Sequence, residues 1–184
     1  MKELKCYAYW NIIDGVQCRF GTLLVGKGNE TIVGNCIMKN PGSSKPINSL
    51  CLRFDGRMDF SVDATMYAIA DLFGIDKNGG AVRIWNLSDA REPDFSQATK
   101  IIRQVDDIMT FKKDVPTYIG WGDFWKDEKV SVKARMFFEM VQPGNSYLDA
   151  NIDNNPFFHP LYLMRYGRSK NECKAMIESF RANI

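Results

Sequence analysis

The feature that most constrains this chain is an alternation that begins at Thr31. Short, β-prone apolar runs trade places with stretches whose apolar residues recur at helical spacing. The runs are Thr31–Met38, Ala81–Leu87 and Pro116–Gly120. The helical stretches carry Val62, Met66, Ile69, Ala70 and Phe73, then Ala98, Ile101, Ile102, Val105, Ile108 and Met109, and then Val132, Met136, Phe137 and Met140. Strands separated by helices are joined by crossovers, and a crossover that returns to the same sheet leaves neighbouring strands parallel. The expected fold class is therefore α/β, with three α/β/α layers around a mostly parallel central sheet.

Local signals refine that frame. Lys5–Ile13 and Val16–Val25 flank Asp14-Gly15, a pair at ease with positive φ, which predicts a tight antiparallel hairpin. This hairpin, within residues 1–30, reads as an N-terminal extension of one domain that spans residues 1–184. Ser61 or Asp63 can cap the first helix and Gly74 can close it. A second helix starts near Ser96, a third stops before Pro143, and Ser146–Ile152 reads as a last strand. Ser169-Lys170-Asn171-Glu172 forms a capping box for a final helix with Cys173, Met176, Ile177 and Phe180 on its buried stripe.

Charge and cysteine content exclude several classes. The 24 basic and 22 acidic side chains leave a formal charge of +2, which supplies no broad field for polyanions or membrane surfaces. No apolar run reaches the roughly 18 residues of a membrane span, so a cytoplasmic protein without a membrane partner is expected. The five cysteines, Cys6, Cys18, Cys36, Cys51 and Cys173, are scattered through mostly apolar runs and suit reduced core thiols. One histidine and no CxxC make a metal site or a cofactor a poor expectation. Gly21 to Lys27 imitates a phosphate-binding loop, but Gly28 stands where serine or threonine is required and a strand follows.

Ligands of open α/β sheets bind where loops leave the carboxyl ends of strands. Here those ends offer Asn40-Pro41-Gly42-Ser43-Ser44, Asn86-Leu87-Ser88, Trp121-Gly122 and, later, Phe158-His159-Pro160. The ordered set, with Asp63-Ala64-Thr65 and His159-Pro160-Leu161-Tyr162, resembles the domain-of-unknown-function family sixteen forty-three, found in bacteria and phages. The resemblance covers roughly Thr31 to Arg168. Gly42 stands where that family usually has serine, and Ala64 where it usually has proline. The same series is similar to the uracil-DNA glycosylase superfamily, whose mismatch-specific branch has an Asn-Pro-Gly first motif.

That second resemblance implies a uracil-DNA glycosylase type of fold and a set of roles. Asn40 would position water against the sugar C1′, and His159 would donate a hydrogen bond to a base oxygen. Asn86 would read the base edge, with Pro41, Gly42, Ser43, Phe54, Trp121 and Tyr162 around the substrate. Leu163 would enter a duplex as a wedge, and Arg165, Arg168 and Lys170 would meet phosphates. The implied partner is a nucleobase, nucleotide or DNA, and the implied reaction is hydrolysis of an N-glycosidic bond. A non-catalytic nucleotide or nucleic-acid binding module, or a hydrolase of a small modified nucleoside, uses the same residues. The sequence carries no signal for oligomeric state.

Overall fold

The computed structural model describes residues 4–48, 52–91, 101–102, 111–141, 151–155, 157–165 and 170–182. Four strands come first: β1 (Lys5–Ile13), β2 (Val16–Val25), β3 (Ile32–Met38) and the short β4 (Met58–Phe60). Helices α1 (Ala64–Phe73) and α2 (Ile75–Asn78) lead into β5 (Ala81–Asn86) and β6 (Thr117–Gly120). A 3₁₀ turn at Gly122–Lys126, α3 (Glu128–Met140), a second turn at Ile152–Asn154, α4 (Pro160–Arg165) and α5 (Lys170–Arg181) complete the described elements.

The six strands form one sheet in the order β4-β1-β2-β5-β3-β6. β3 pairs in parallel with β5 and β6, whereas β1 with β2, β1 with β4, and β2 with β5 are antiparallel. The sheet is thus mixed, which corrects the expectation of a mostly parallel one. The N-terminal hairpin is continuous with the sheet: β2 joins the parallel strands directly, with Thr22 opposite Ile84 and Val25 opposite Ala81. Alternation along the chain reports how elements are connected, but it carries no information about which edge a preceding hairpin joins.

Helix ends follow their local chemistry. Asp63 accepts a hydrogen bond from the Met66 N–H at 3.0 Å, and Gly74 closes α1 with φ of 70°. α3 starts on Asp127, which accepts from the Lys129 N–H. Its buried stripe is Val130, Ala134 and Phe137, while Val132 is 68% exposed, so the stripe expected on Val132 is displaced. Most of the expected helix near Ser96, residues 146–150 of the expected last strand, and Ser169 of the capping box lie outside the described residues. Ile152, the end of that expected strand, begins a 3₁₀ turn.

Side chains alternate across the strands and fill two clusters. Leu24, Cys36, Met38, Val82, Ile84 and Tyr118 pack with Met66, Ile69 and Phe73 of α1, Leu163 of α4, and Cys173 and Phe180 of α5. Ile37, Trp85 and Ile119, on the opposite face, pack with Val130, Ala134 and Phe137 of α3. Each large apolar side chain buried this way contributes roughly 1.5–3 kcal/mol. Cys6, Cys18, Cys36 and Cys173 are buried and unbridged. Burial pushes the Cys6 thiol up to about 12. Among the described residues, no helix is long and apolar enough to cross a membrane.

One irregularity decides what the first face presents. Tyr7 pairs with Leu23, but Tyr9 pairs with Phe20, so β2 holds an extra residue there. Gly21 sits in that bulge with φ of 57°, and a Cβ on it would lie 2.6 Å from the Tyr9 ring. The bulge reverses the phase of β2. Phe20 turns away to stack on Tyr9 at 5.5 Å. Arg19 turns toward the α1 face, its guanidinium carbon 5.7 Å from the centroid of the buried Phe60 ring.

Candidate functional site

The carboxyl ends of β5, β3 and β6 are in register: Asn86 lies opposite Met38, and Met38 opposite Gly120. Backbone bonds from the Leu87 N–H to the Met38 carbonyl and from the Ser88 N–H to the Lys39 carbonyl, each 3.0 Å, keep the two chain exits together. By strand alternation Asn86 shares the α1 face with Val82 and Ile84. Gly120 leaves room for the next arrival. A Cβ there would lie 2.7 Å from Pro160 Cδ and 3.2 Å from Met38 Sδ, so the His159-Pro160 turn packs onto the ends of β6 and β3.

His159 begins α4. Its carbonyl accepts from the Tyr162 and Leu163 N–H groups, its Nδ1 accepts from the Leu161 N–H at 3.2 Å, and Pro160 occupies the first helical position. An Nδ1 that accepts must be unprotonated, so Nε2 carries the proton of the neutral ring and is its donor. Burial pushes the His159 pKa below its ordinary value, with the Asp63 charge acting in the opposite direction. A neutral imidazole that donates from Nε2 is thereby favoured at pH 7.

Asp63 links the parts. Its Oδ1 caps α1, while its Oδ2 lies 2.8 Å from where a Gly42 Cβ would be. A side chain at position 42 would meet this carboxylate. Asp63 also favours the charged form of Arg19, a guanidinium that burial pushes the other way. The first strand pair, the α1 N-terminus, the first loop and the His159 turn therefore meet on one face.

Beside them is a cavity of about 630 Å³ lined by Asn40, Pro41, Gly42, Ser43, Gly15, Gln17 and Arg91. Arg91 ties this loop to β2: Nε donates to the Ser44 carbonyl at 3.1 Å, Nη2 to the Ser43 carbonyl at 2.7 Å, and Nη1 to Gln17 Oε1 at 3.0 Å. Gln17 lines the cavity, and Arg19 lies two residues further along the same face of β2. The Arg19 N–H bonds the Asp89 carbonyl, which sets this strand against the segment that leaves Asn86.

Two buried side chains here lack partners among the described residues. Asn86 is 5% exposed, and neither its Oδ1 nor its Nδ2 has one. Arg19 is 3% exposed, and its Nε and Nη1 have none. Leaving a buried polar group unsatisfied costs roughly 1–3 kcal/mol, and more for a charge. Such groups persist where a ligand or ordered water completes them.

The structure sorts the remaining expected residues. Tyr162 stacks on Phe158 at 5.4 Å within the His159 segment. Trp121 is buried on the α3 face beside Phe157, across the sheet from Asn86, so it does not join the crevice. Phe54 is 98% exposed on a turn, 5.8 Å from the Arg53 guanidinium, and is not gathered with the others. Leu163 is 4% exposed in the core, which corrects its reading as a wedge. Arg168 and the side chains of Arg165 and Lys170 lie outside the description.

Arg19 carried no motif signal, and Asp63 read only as a cap and a motif match. A glycine within a β-prone run was the one available hint that the strand bulges there. Among the described residues no group of three His, Cys, Asp or Glu side chains could hold a metal. In comparisons with family models, curated proteins and solved structures, nothing matches this chain.

Proposed function

We propose that this chain is a three-layer domain of uracil-DNA glycosylase type that binds a nucleobase or nucleotide in the crevice and hydrolyses its N-glycosidic bond. The observation that carries the reading is Asn86: a buried amide at a strand end with both its acceptor and its donors unanswered. An amide in that state matches the edge of a flat heterocycle that offers a donor beside an acceptor. His159 presents Nε2–H toward a base oxygen on which negative charge develops, and preorganised donors of this kind lower barriers by several kcal/mol. Asn40 orients water at C1′. An amide cannot take a proton. The Asp63 carboxylate beside Gly42 supplies the negative charge that favours a cationic sugar.

Burial of Leu163 favours a free nucleoside, nucleotide or unpaired strand over a base drawn from a duplex, since the wedge is lacking. The test is release of free base from nucleosides, nucleotides and uracil- or mismatch-containing oligonucleotides. Asn40→Ala and His159→Ala are each expected to slow release at least tenfold; equal rates in all three proteins contradict the assigned roles. Saturable binding without base release supports instead a non-catalytic nucleotide-binding module.

A further inference from the structure

Arg19 carries a charge into the interior with little to meet it. The Phe60 ring lies 5.7 Å away; burial disfavours the charge, Cys6 and Asp63 favour it through space, and the Arg91 guanidinium opposes it. The Nε and Nη1 of Arg19 are buried and meet no acceptor among the described residues. Taking a cation out of water costs several kcal/mol unless hydrogen-bonded acceptors of opposite charge complete it. A guanidinium is a planar fork suited to delocalised anions. Arg19 also lies deeper on its face than Gln17, which lines the cavity, and on the strand paired to the one that bears Asn86.

We infer that Arg19 is the receptor for negative charge on the base, so that the crevice selects bases that are anionic or become so as they leave. This rests on the reading of the crevice as a base-binding site. In the hydrolysis, the C1′–N bond breaks and its electron pair passes to the ring nitrogen. The base becomes an anion against Arg19. Water bonds to C1′ and loses a proton to solvent, and the base anion later takes a proton from solvent. Arg19 stabilises the charge formed in the first step.

The test is calorimetric titration at one pH with two series of free bases in order of rising ring acidity. One is uracil, 5-fluorouracil and 5-nitrouracil; the other is hypoxanthine, xanthine and uric acid. In the native protein, affinity is expected to rise at least tenfold along one series. Arg19→Met is expected to flatten that rise while its Tm stays equal or increases, because an apolar side chain relieves the buried charge. A merely structural Arg19 predicts a lower Tm with the trend intact.

The inference is overturned if the native protein shows no trend in either series, if it binds none of the six bases, or if the trend survives in Arg19→Met. The native trend decides alone should the variant not fold. Base release with a flat trend removes only the Arg19 role. A clear trend without base release from any substrate removes hydrolysis and leaves Arg19 as the anion receptor of a binding module.

Discussion

Two buried asparagines on neighbouring strands make the most instructive comparison in this molecule. Asn35, on β3, donates from Nδ2 to the Lys112 carbonyl at 2.7 Å and to Thr117 Oγ1 at 3.1 Å, and its Oδ1 accepts from the Trp85 indole N–H at 3.3 Å. Asn86, at the end of β5 and on the opposite face, has neither atom answered. Burial is nearly the same, at 0% and 5%. The first amide ties a loop, a strand and an indole together. The second makes no such tie among the described residues. Burial alone therefore does not separate an amide that ties the fold together from one that does not; the partners do.

The comparison breaks most visibly in stability. Asn35→Ala strands an indole N–H, a hydroxyl and a carbonyl in the interior and is expected to cost about 3 kcal/mol in denaturant unfolding. Asn86→Leu removes polar atoms that gain nothing in the free protein, so unfolding is expected within about 1 kcal/mol of native. Its effect falls on ligand: base affinity or release drops about 100-fold, as for other buried polar recognition groups. If Asn86→Leu unfolds as easily as Asn35→Ala, the contrast between the two sites is false.

A smaller effect sharpens the account of His159. Its folded pKa lies below the unfolded value of about 6.5, because burial disfavours the imidazolium. As pH falls below about 6.5 the unfolded chain binds the proton more readily than the folded one. Stability therefore declines with falling pH and levels off below the folded pKa. Protonation at Nδ1 also displaces the Leu161 N–H from its acceptor. His159→Asn keeps an acceptor at the helix start without the titration. Its unfolding free energy is expected to show a shallower slope between pH 7 and 5, and equal slopes exclude His159 as the group responsible.

Much of the fold was legible because it is specified locally. The hairpin follows from Asp14-Gly15, α1 from Asp63 and Gly74, and the ends of β5 and β6 from breaks in apolar runs. The candidate residues Asn40 and Asn86 were visible for the same reason, as polar side chains where strands end, and His159 as part of the ordered motif set. What escaped the sequence is non-local. The insertion of the hairpin against β5 makes the sheet mixed. The phase reversal at Gly21 turns Arg19 inward, and nothing in the neighbouring residues says which face it will reach. Leu163, which the sequence offered both as a wedge and as a side chain packed inward, sits on a short helix whose buried side depends on where α1 packs.

The most direct measurement follows side-chain NMR signals during titration with the base that binds tightest. The Asn86 amide is assigned from its loss in Asn86→Leu, and the His159 Nε2–H from its loss in His159→Asn. Both are expected to shift together along one saturation curve, while the Asn35 amide stays within line width. Movement of Asn86 without His159, or shifts at Asn35 as large as those at Asn86, would contradict a single crevice built from these residues.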